Sequence, residues 1–343
     1  MTSMLRPATL CLLLQEVLKM SNQASALNRG IKFTADGVQN LTIFCIFLMA
    51  CVVGFILEPK LFFSPSNVTS ILVSASSVII VASAVTLVLI SGNLNLSVGG
   101  TGAMGAVLFG LMTRAGVPIV LAALLAVVLG LLAGMLCGFI IAQFKLPSFI
   151  VSLAFRYITR GIALVGAGGA VIFGLPAGIS KIGMTIGSIP LPAVYAIAVV
   201  LVFVWIQNKT VFASTAYAVG ANEPAAHLSG ISNRKVVMSV FAMSGMLAAF
   251  VGVVITSRFT AADSGILSTL DNDCIIAAVL GGTDINGGRG TVFGMLMGAL
   301  FIVVLTNIMN MLGMTTYTQD MVKGVVLIGA ILLNNIIRKH VRI

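Results

Sequence analysis

The feature that most constrains this chain is a succession of apolar runs near residues 39–57, 67–90, 98–112, 117–142, 149–166, 191–207, 236–256, 292–312 and 321–337. A hydrocarbon core about 30 Å thick takes about 20 apolar residues of helix to cross. Inside it no water meets an unpaired peptide group, so a span is a helix or part of a closed barrel. Only 8% of the residues are charged, against about a quarter in a soluble domain. The 36 glycines suit helices that pack closely within a bilayer.

One further piece, Cys274–Leu280, is too short to place by hydropathy alone. The tails decide it, because basic segments stay on the cytoplasmic side. Arg6, Lys19, Arg29 and Lys32 precede the first run, and Arg338, Lys339 and Arg342 follow the last. Two cytoplasmic ends require an even number of crossings. The short piece must therefore cross, starting near Asp271-Asn272-Asp273, whose side chains can cap it. The expected fold is an all-α polytopic bundle of about ten spans with both termini cytoplasmic. It divides into an N-terminal tail 1–37, a transmembrane domain 38–337 and a basic tail 338–343. Lys145, Lys209, Arg234, Lys235 and Arg289 then face the cytoplasm, and Lys60, Arg114, Lys181 and Arg258 lie outside. The net charge of +10 thus reads as topology, with no nucleic-acid partner expected. In the tail the apolar patch Leu10–Leu14 is cut by Gln15 and Glu16; a chain start at Met1 or at Met20 fits a plain cytoplasmic tail better than a signal peptide.

The longest polar interval between two runs is 208–235. Within it Asn222, Glu223, Pro224, Ala225, Ala226, His227 and Gly230 read as a short punctuated helix. Asn222 can cap it, Glu223 suits the positive end of the helix dipole, and Pro224 fits the first turn. Gly230 is a natural stop. A short exposed helix held at both ends by spans, with Ala225 and Ala226 as a small face, is a docking element; the plain alternative is a surface loop.

Two Gly-rich breaks interrupt the runs on the same side of the membrane. The first is Ser91-Gly92-Asn93-Leu94-Asn95-Leu96-Ser97-Val98-Gly99-Gly100-Thr101. The second holds Gly281, Gly282, Thr283, Gly287, Gly288, Arg289 and Gly290. Neither fits the G-x-x-x-x-G-K-[ST] pattern, so no ATP is expected to bind this chain. They read as tight connections between closely packed helices. Asn307 and Asn310 share a helical face near the outer end of one span, equipped to meet hydroxyls on a solute path or to hydrogen-bond a neighbouring helix. Arg156 and Arg160 also share a face, pairing with carbonyls or snorkelling to the surface. No Asp or Glu is expected at the centre of a span, which argues against a proton-driven porter though not against sodium coupling. The cysteines are scattered and His227 and His340 stand apart from them, so no metal site is expected. No nucleophile and base come together to suggest an enzyme.

These motifs carry a resemblance. The string Tyr217-Ala218-Val219-Gly220 to Leu228-Ser229-Gly230-Ile231 is similar to the coupling loop, E-A-A-x-x-x-G, of permease subunits of bacterial ribose/xylose/arabinose/galactose-type ABC importers, a family that includes autoinducer importers. Pro224 stands where that motif has its acid. The second break resembles the family's I-G-G-T-x-x-x-G-G-R-G-[ST], and the first its I-S-G-x-I-D-L-S-V-G, with Asn95 in place of the aspartate. Pro147-Ser148-Phe149-Ile150-Val151 with Thr159-Arg160-Gly161, and Asn307 to Gly313 with Gln319, Lys323 and Gly324, follow family pattern as well. The resemblance implies a monosaccharide pathway, with Asn95, Asn307 and Asn310 as candidate lining. It implies a bacterial inner-membrane location among lipid and a second permease copy, identical or related. It implies a cytoplasmic ATPase with two P-loop domains that holds the ATP-Mg, and a periplasmic sugar-binding protein. A stand-alone ion-coupled transporter of a small polar solute is the alternative.

Overall fold

In the computed structural model the described residues are 43–341 except Ser188, with no side chain described beyond residue 332. The expected tail 1–37 lies outside them. Helices dominate: α1 (Ile43–Leu57) and α2 (Pro59–Phe62) lead into α3 (Pro65–Ile90), α4 (Val98–Arg114), α5 (Ile119–Phe144) and α6 (Ser148–Ala167). A short non-spanning segment follows, with a 3₁₀ turn at Ala177–Ile182 and a minimal hairpin, β1 (Thr185–Ile186) and β2 (Ile189–Pro190). Then come α7 (Leu191–Lys209), α8 (Val211–Ala221), α9 (Glu223–Leu228), α10 (Asn233–Phe259), α11 (Leu270–Leu280), α12 (Val292–Met311) and α13 (Thr316–Val341). Among the described residues six helices, α3, α5, α6, α7, α10 and α12, are long and apolar enough to cross a membrane.

Burial sorts these helices into posts and walls. Ser64 caps α3, its side chain accepting from Asn67 N, and Pro65 opens the helix where a missing N–H costs nothing. From Val78 onward α3 is closed in on nearly every side, with Val81, Ala82, Leu87 and Ile90 at 0% exposure. A helix apolar all round must be surrounded. The second post is α10, against which α4 and α5 pack. Backbones meet there: a Cβ on Gly134 would lie 3.0 Å from the Phe241 carbonyl carbon, and one on Gly105 2.7 Å from Ala249 Cα. Small residues allow that approach, which substitutes for the hydrophobic driving force that lipid cannot supply. The outer side of α5 keeps Val120, Leu124 and Leu136 exposed, as a lipid-facing wall does.

Two helices begin inside the bundle. Residues 91–97 are non-helical, with Gly92 exposed but Ser91, Asn95, Leu96 and Ser97 buried, so α4 starts at Val98 within the protein. Likewise the chain leaves α10 at Thr260, in a left-handed conformation, and runs without helix to Thr269. Only then does α11 start, 11 residues long, about 16 Å of rise and half of a bilayer core. Around Cys274–Leu280, where a short crossing is expected, the chain forms this short helix joined to irregular backbone. Its start also differs from expectation. Thr269 occupies the cap position without a side-chain cap bond, and Asp271 and Asp273 sit inside the first turn. They do not cap, because their carboxylates turn sideways to cationic partners on α6 and α13.

Candidate functional site

The polar interval 208–235 folds as two helices. Thr210 caps α8, its hydroxyl accepting from Ala213 N, so most of the expected loop before Asn222 is helical. Asn222 caps α9 as its sequence suggests, Oδ1 accepting from Ala225 N at 3.0 Å. Glu223 lies in the first turn and accepts from the Asn233 side-chain amide, which ties α9 to the start of α10. Gly230 turns with φ +81°, a left-handed conformation that favours glycine.

Glu223, Pro224, Ala225, His227 and Leu228 are exposed, but Ala226 is 5% exposed and packs into the subunit's own core. The two alanines therefore do not form one outward face. The outward apolar group is Leu228, 89% exposed. Sequence reasoning missed it, although a leucine in a polar interval was a readable signal.

The end of α8 meets both Gly-rich breaks. Gly288 N donates to the Ile90 carbonyl at 2.8 Å, joining the second break to the end of α3. A Cβ on Gly220 would overlap the Ile90 carbonyl oxygen and lie 2.7 Å from Gly288 N; one on Gly287 would lie 2.7 Å from Gly92 Cα. The Tyr217 hydroxyl donates to the Gly290 carbonyl, and Val292 N donates to Gln207 Oε1 at 2.8 Å. Gly281 packs backbone to backbone against Gly294, with Gly282 and Thr283 next to it; Thr283 is fully buried and Arg289 is exposed. Three stretches far apart in sequence thus share one junction, directly beside the Asn222 cap.

The candidate path residues have partners within the subunit. Asn95 is 1% exposed. Its Nδ2 donates to Ser244 Oγ at 2.7 Å, and its Oδ1 accepts from Ser97 N and Oγ. Asn307 and Asn67 exchange amide hydrogen bonds at 2.7 and 3.1 Å, linking α12 to α3. Asn310 is exposed, and its Oδ1 accepts from Gln319 Nε2 at 2.7 Å. The structure does not bring the three asparagines together.

It does assemble charges that the sequence left apart. Arg156 Nη1 lies 2.6 Å from Asp271 Oδ2, and Nη2 donates to the Ser268 carbonyl at 2.9 Å. Lys323 Nζ lies 2.7 Å from Asp273 Oδ1. The two aspartates sit where α11 begins, enclosed in the bundle between α6 and α13. None of the six helices long and apolar enough to cross a membrane contains them.

The chain is similar to known proteins over most of its length. Residues 67–331 match the family described as "Branched-chain amino acid transport system / permease component". The chain is 37% identical over 303 residues to the ribose import permease protein RbsC of Bacillus subtilis (strain 168), covering 87% of this chain and 94% of that protein. It is 37% identical over 279 residues to the probable ABC transporter permease protein YphD of Escherichia coli (strain K12), covering 80% and 82%. It is 31% identical over 296 residues to the autoinducer 2 import system permease protein LsrC of Salmonella choleraesuis (strain SC-B67), covering 85% of each. No solved structure matches.

Proposed function

Because the chain belongs to this family of permease components, we propose that it is the membrane subunit of an ATP-driven importer, forming the path for a monosaccharide that a periplasmic binding protein delivers. It is a transport component rather than an enzyme. The partners in this reading are a second permease copy, identical or related, and a cytoplasmic ATPase with two P-loop domains. The ATPase holds the ATP-Mg, and this chain binds no cofactor of its own. The subunit sits among lipid in the bacterial inner membrane, with ten passes and both ends cytoplasmic.

The observation that carries the reading is the junction beside α9. A docking helix that moved with an ATPase would push α8 directly against the end of α3 and the loop that joins α11 to α12. Its exposed Leu228 supplies an anchor for a groove in that partner. The likeness to permeases named for ribose and for autoinducer 2 favours a polyhydroxy solute over an amino acid. In the ten-pass reading Lys145, Lys209, Arg234, Lys235 and Arg289 lie on the α8–α9 side, with Arg114, Lys181 and Arg258 opposite, as the positive-inside bias requires.

The test is reconstitution of the permease, ATPase and binding protein in vesicles, with labelled ribose and labelled leucine offered in parallel. ATP-dependent ribose uptake is expected. Leucine uptake would replace the solute class. Ribose uptake by the permease alone under an ion gradient would return the stand-alone transporter.

A further inference from the structure

Polar side chains surface where the irregular backbone joins α11. The stretch 260–269 descends from the far end of α10, a helix of 27 residues, about 40 Å long. It hands over to α11 about 16 Å from the opposite side. In the ten-pass reading Ser268 and Asn272 therefore stand near the middle of the bilayer, and both are exposed on the subunit. Non-helical backbone and polar side chains at that depth do not face lipid; they are tolerated against protein or along water.

Beside them lie the two ion pairs, on opposite flanks of the same helical turn. The Arg156 side chain keeps 22% exposure and Asp273 keeps 15%, whereas Asp271 has none. Each pair therefore has a buried side that anchors α11, to α6 through Arg156 and to α13 through Lys323. Each also keeps an exposed part, at Arg156 and at Asp273, and the exposed Asn272 lies between the two aspartates in sequence. Among the described residues nothing else requires four charges at this level, since well-packed apolar residues would hold helices together at least as firmly.

We propose that the face around Ser268 and Asn272 lines the water-filled solute path. In this assignment Asn272 presents its amide to solute hydroxyls, and the Arg156–Asp271 and Lys323–Asp273 pairs are positioning groups that fix the start of α11 along that path. The assignment rests on the permease reading and adds to it a location that the motif-bearing asparagines do not share.

The experiment puts a single cysteine at Asn272→Cys in the full transporter and follows its reaction with a charged, membrane-impermeant thiol reagent. The parental chain sets the background, and Leu201→Cys, 64% exposed at its native residue on the apolar side of α7, is the lipid-facing control. Labelling at 272 at least about tenfold faster than at 201 is expected, because a charged reagent reaches water-lined positions and not hydrocarbon. The attached charge should also abolish ribose uptake. Labelling no faster than at 201, both without nucleotide and with ATP, would overturn the proposal. So would ready disulfide formation between the 272 cysteines of two copies without reagent access, which would make this face an interface. If Asn272→Cys fails to accumulate in the membrane, Ser268→Cys asks the same question one turn away. Fast labelling in a transporter that carries no ribose would refute the solute class and leave the face intact, so the two failures are distinguishable.

Discussion

At Leu228 an apolar side chain stands 89% exposed at the end of a helix otherwise lined by polar and small residues. Burying a leucine in a partner's groove stabilises by about 1.5–3 kcal/mol. At about 1.4 kcal/mol per tenfold, Leu228→Asp should weaken ATPase docking by about tenfold to a hundredfold with membrane insertion unchanged, measured by co-purification. Ala226 is a poor probe of the same contact, since its methyl is already packed inside the subunit. Asn307 asks for a paired test. Asn307→Leu leaves Asn67 Oδ1 without the Asn307 donor, while Asn67 Nδ2 keeps its bond to the Phe62 carbonyl at 2.9 Å, a loss of about 1–3 kcal/mol. The double variant Asn67→Leu/Asn307→Leu removes both partners and should recover most of it. Thermal unfolding in detergent reads both, and equal losses would show that the amides do not act as a pair. The cap at Asn222 and the stop at Gly230 were legible because capping is local chemistry. The inward turn of Ala226 was not, because the rotation of a six-residue helix is set by what it lies on.

Among the elements, α8 and α11 carry the argument. A methyl at Gly220 would overlap the Ile90 carbonyl oxygen and crowd Gly288 N at 2.7 Å, and overpacking of that kind costs about 1–3 kcal/mol. Gly220→Ala should separate α8 from α3 and lower ribose uptake per ATP hydrolysed while the ATPase stays bound. Unchanged uptake with unchanged ATPase activity would mean that the junction transmits nothing. For α11 the ion pair to α13 gives a sign test. Lys323→Met leaves the Asp273 carboxylate without its partner and should destabilise the subunit by about 3–5 kcal/mol. Asp273→Leu/Lys323→Met should be close to wild type in thermal stability yet transport poorly. A double variant that transports normally would reduce the pair to a packing detail.

On the scale of the whole molecule, ten passes with both ends inside predict that reporter fusions after Ile343 and after Gly30 both read as cytoplasmic. A C-terminal reporter on the outside would mean that 260–280 does not cross and that the half-helix returns to the side it came from.

The sequence by itself determined that the chain is a helical membrane bundle, because apolar length and backbone hydrogen bonding leave no other solution for runs such as 67–90 and 236–256. It also marked the short capped helix α9 and both glycine breaks, whose turn and cap residues act within a few positions of themselves. Tertiary structure alone decided that Gly92, Gly220 and Gly287 meet. It alone decided that Asn307 finds Asn67 and that Arg156 and Lys323 take the two aspartates of α11. Hydropathy measures how far a segment reaches through lipid. Which polar group lies opposite which depends on the rotation and depth of each helix against its neighbours, and these are fixed only when all the helices pack together.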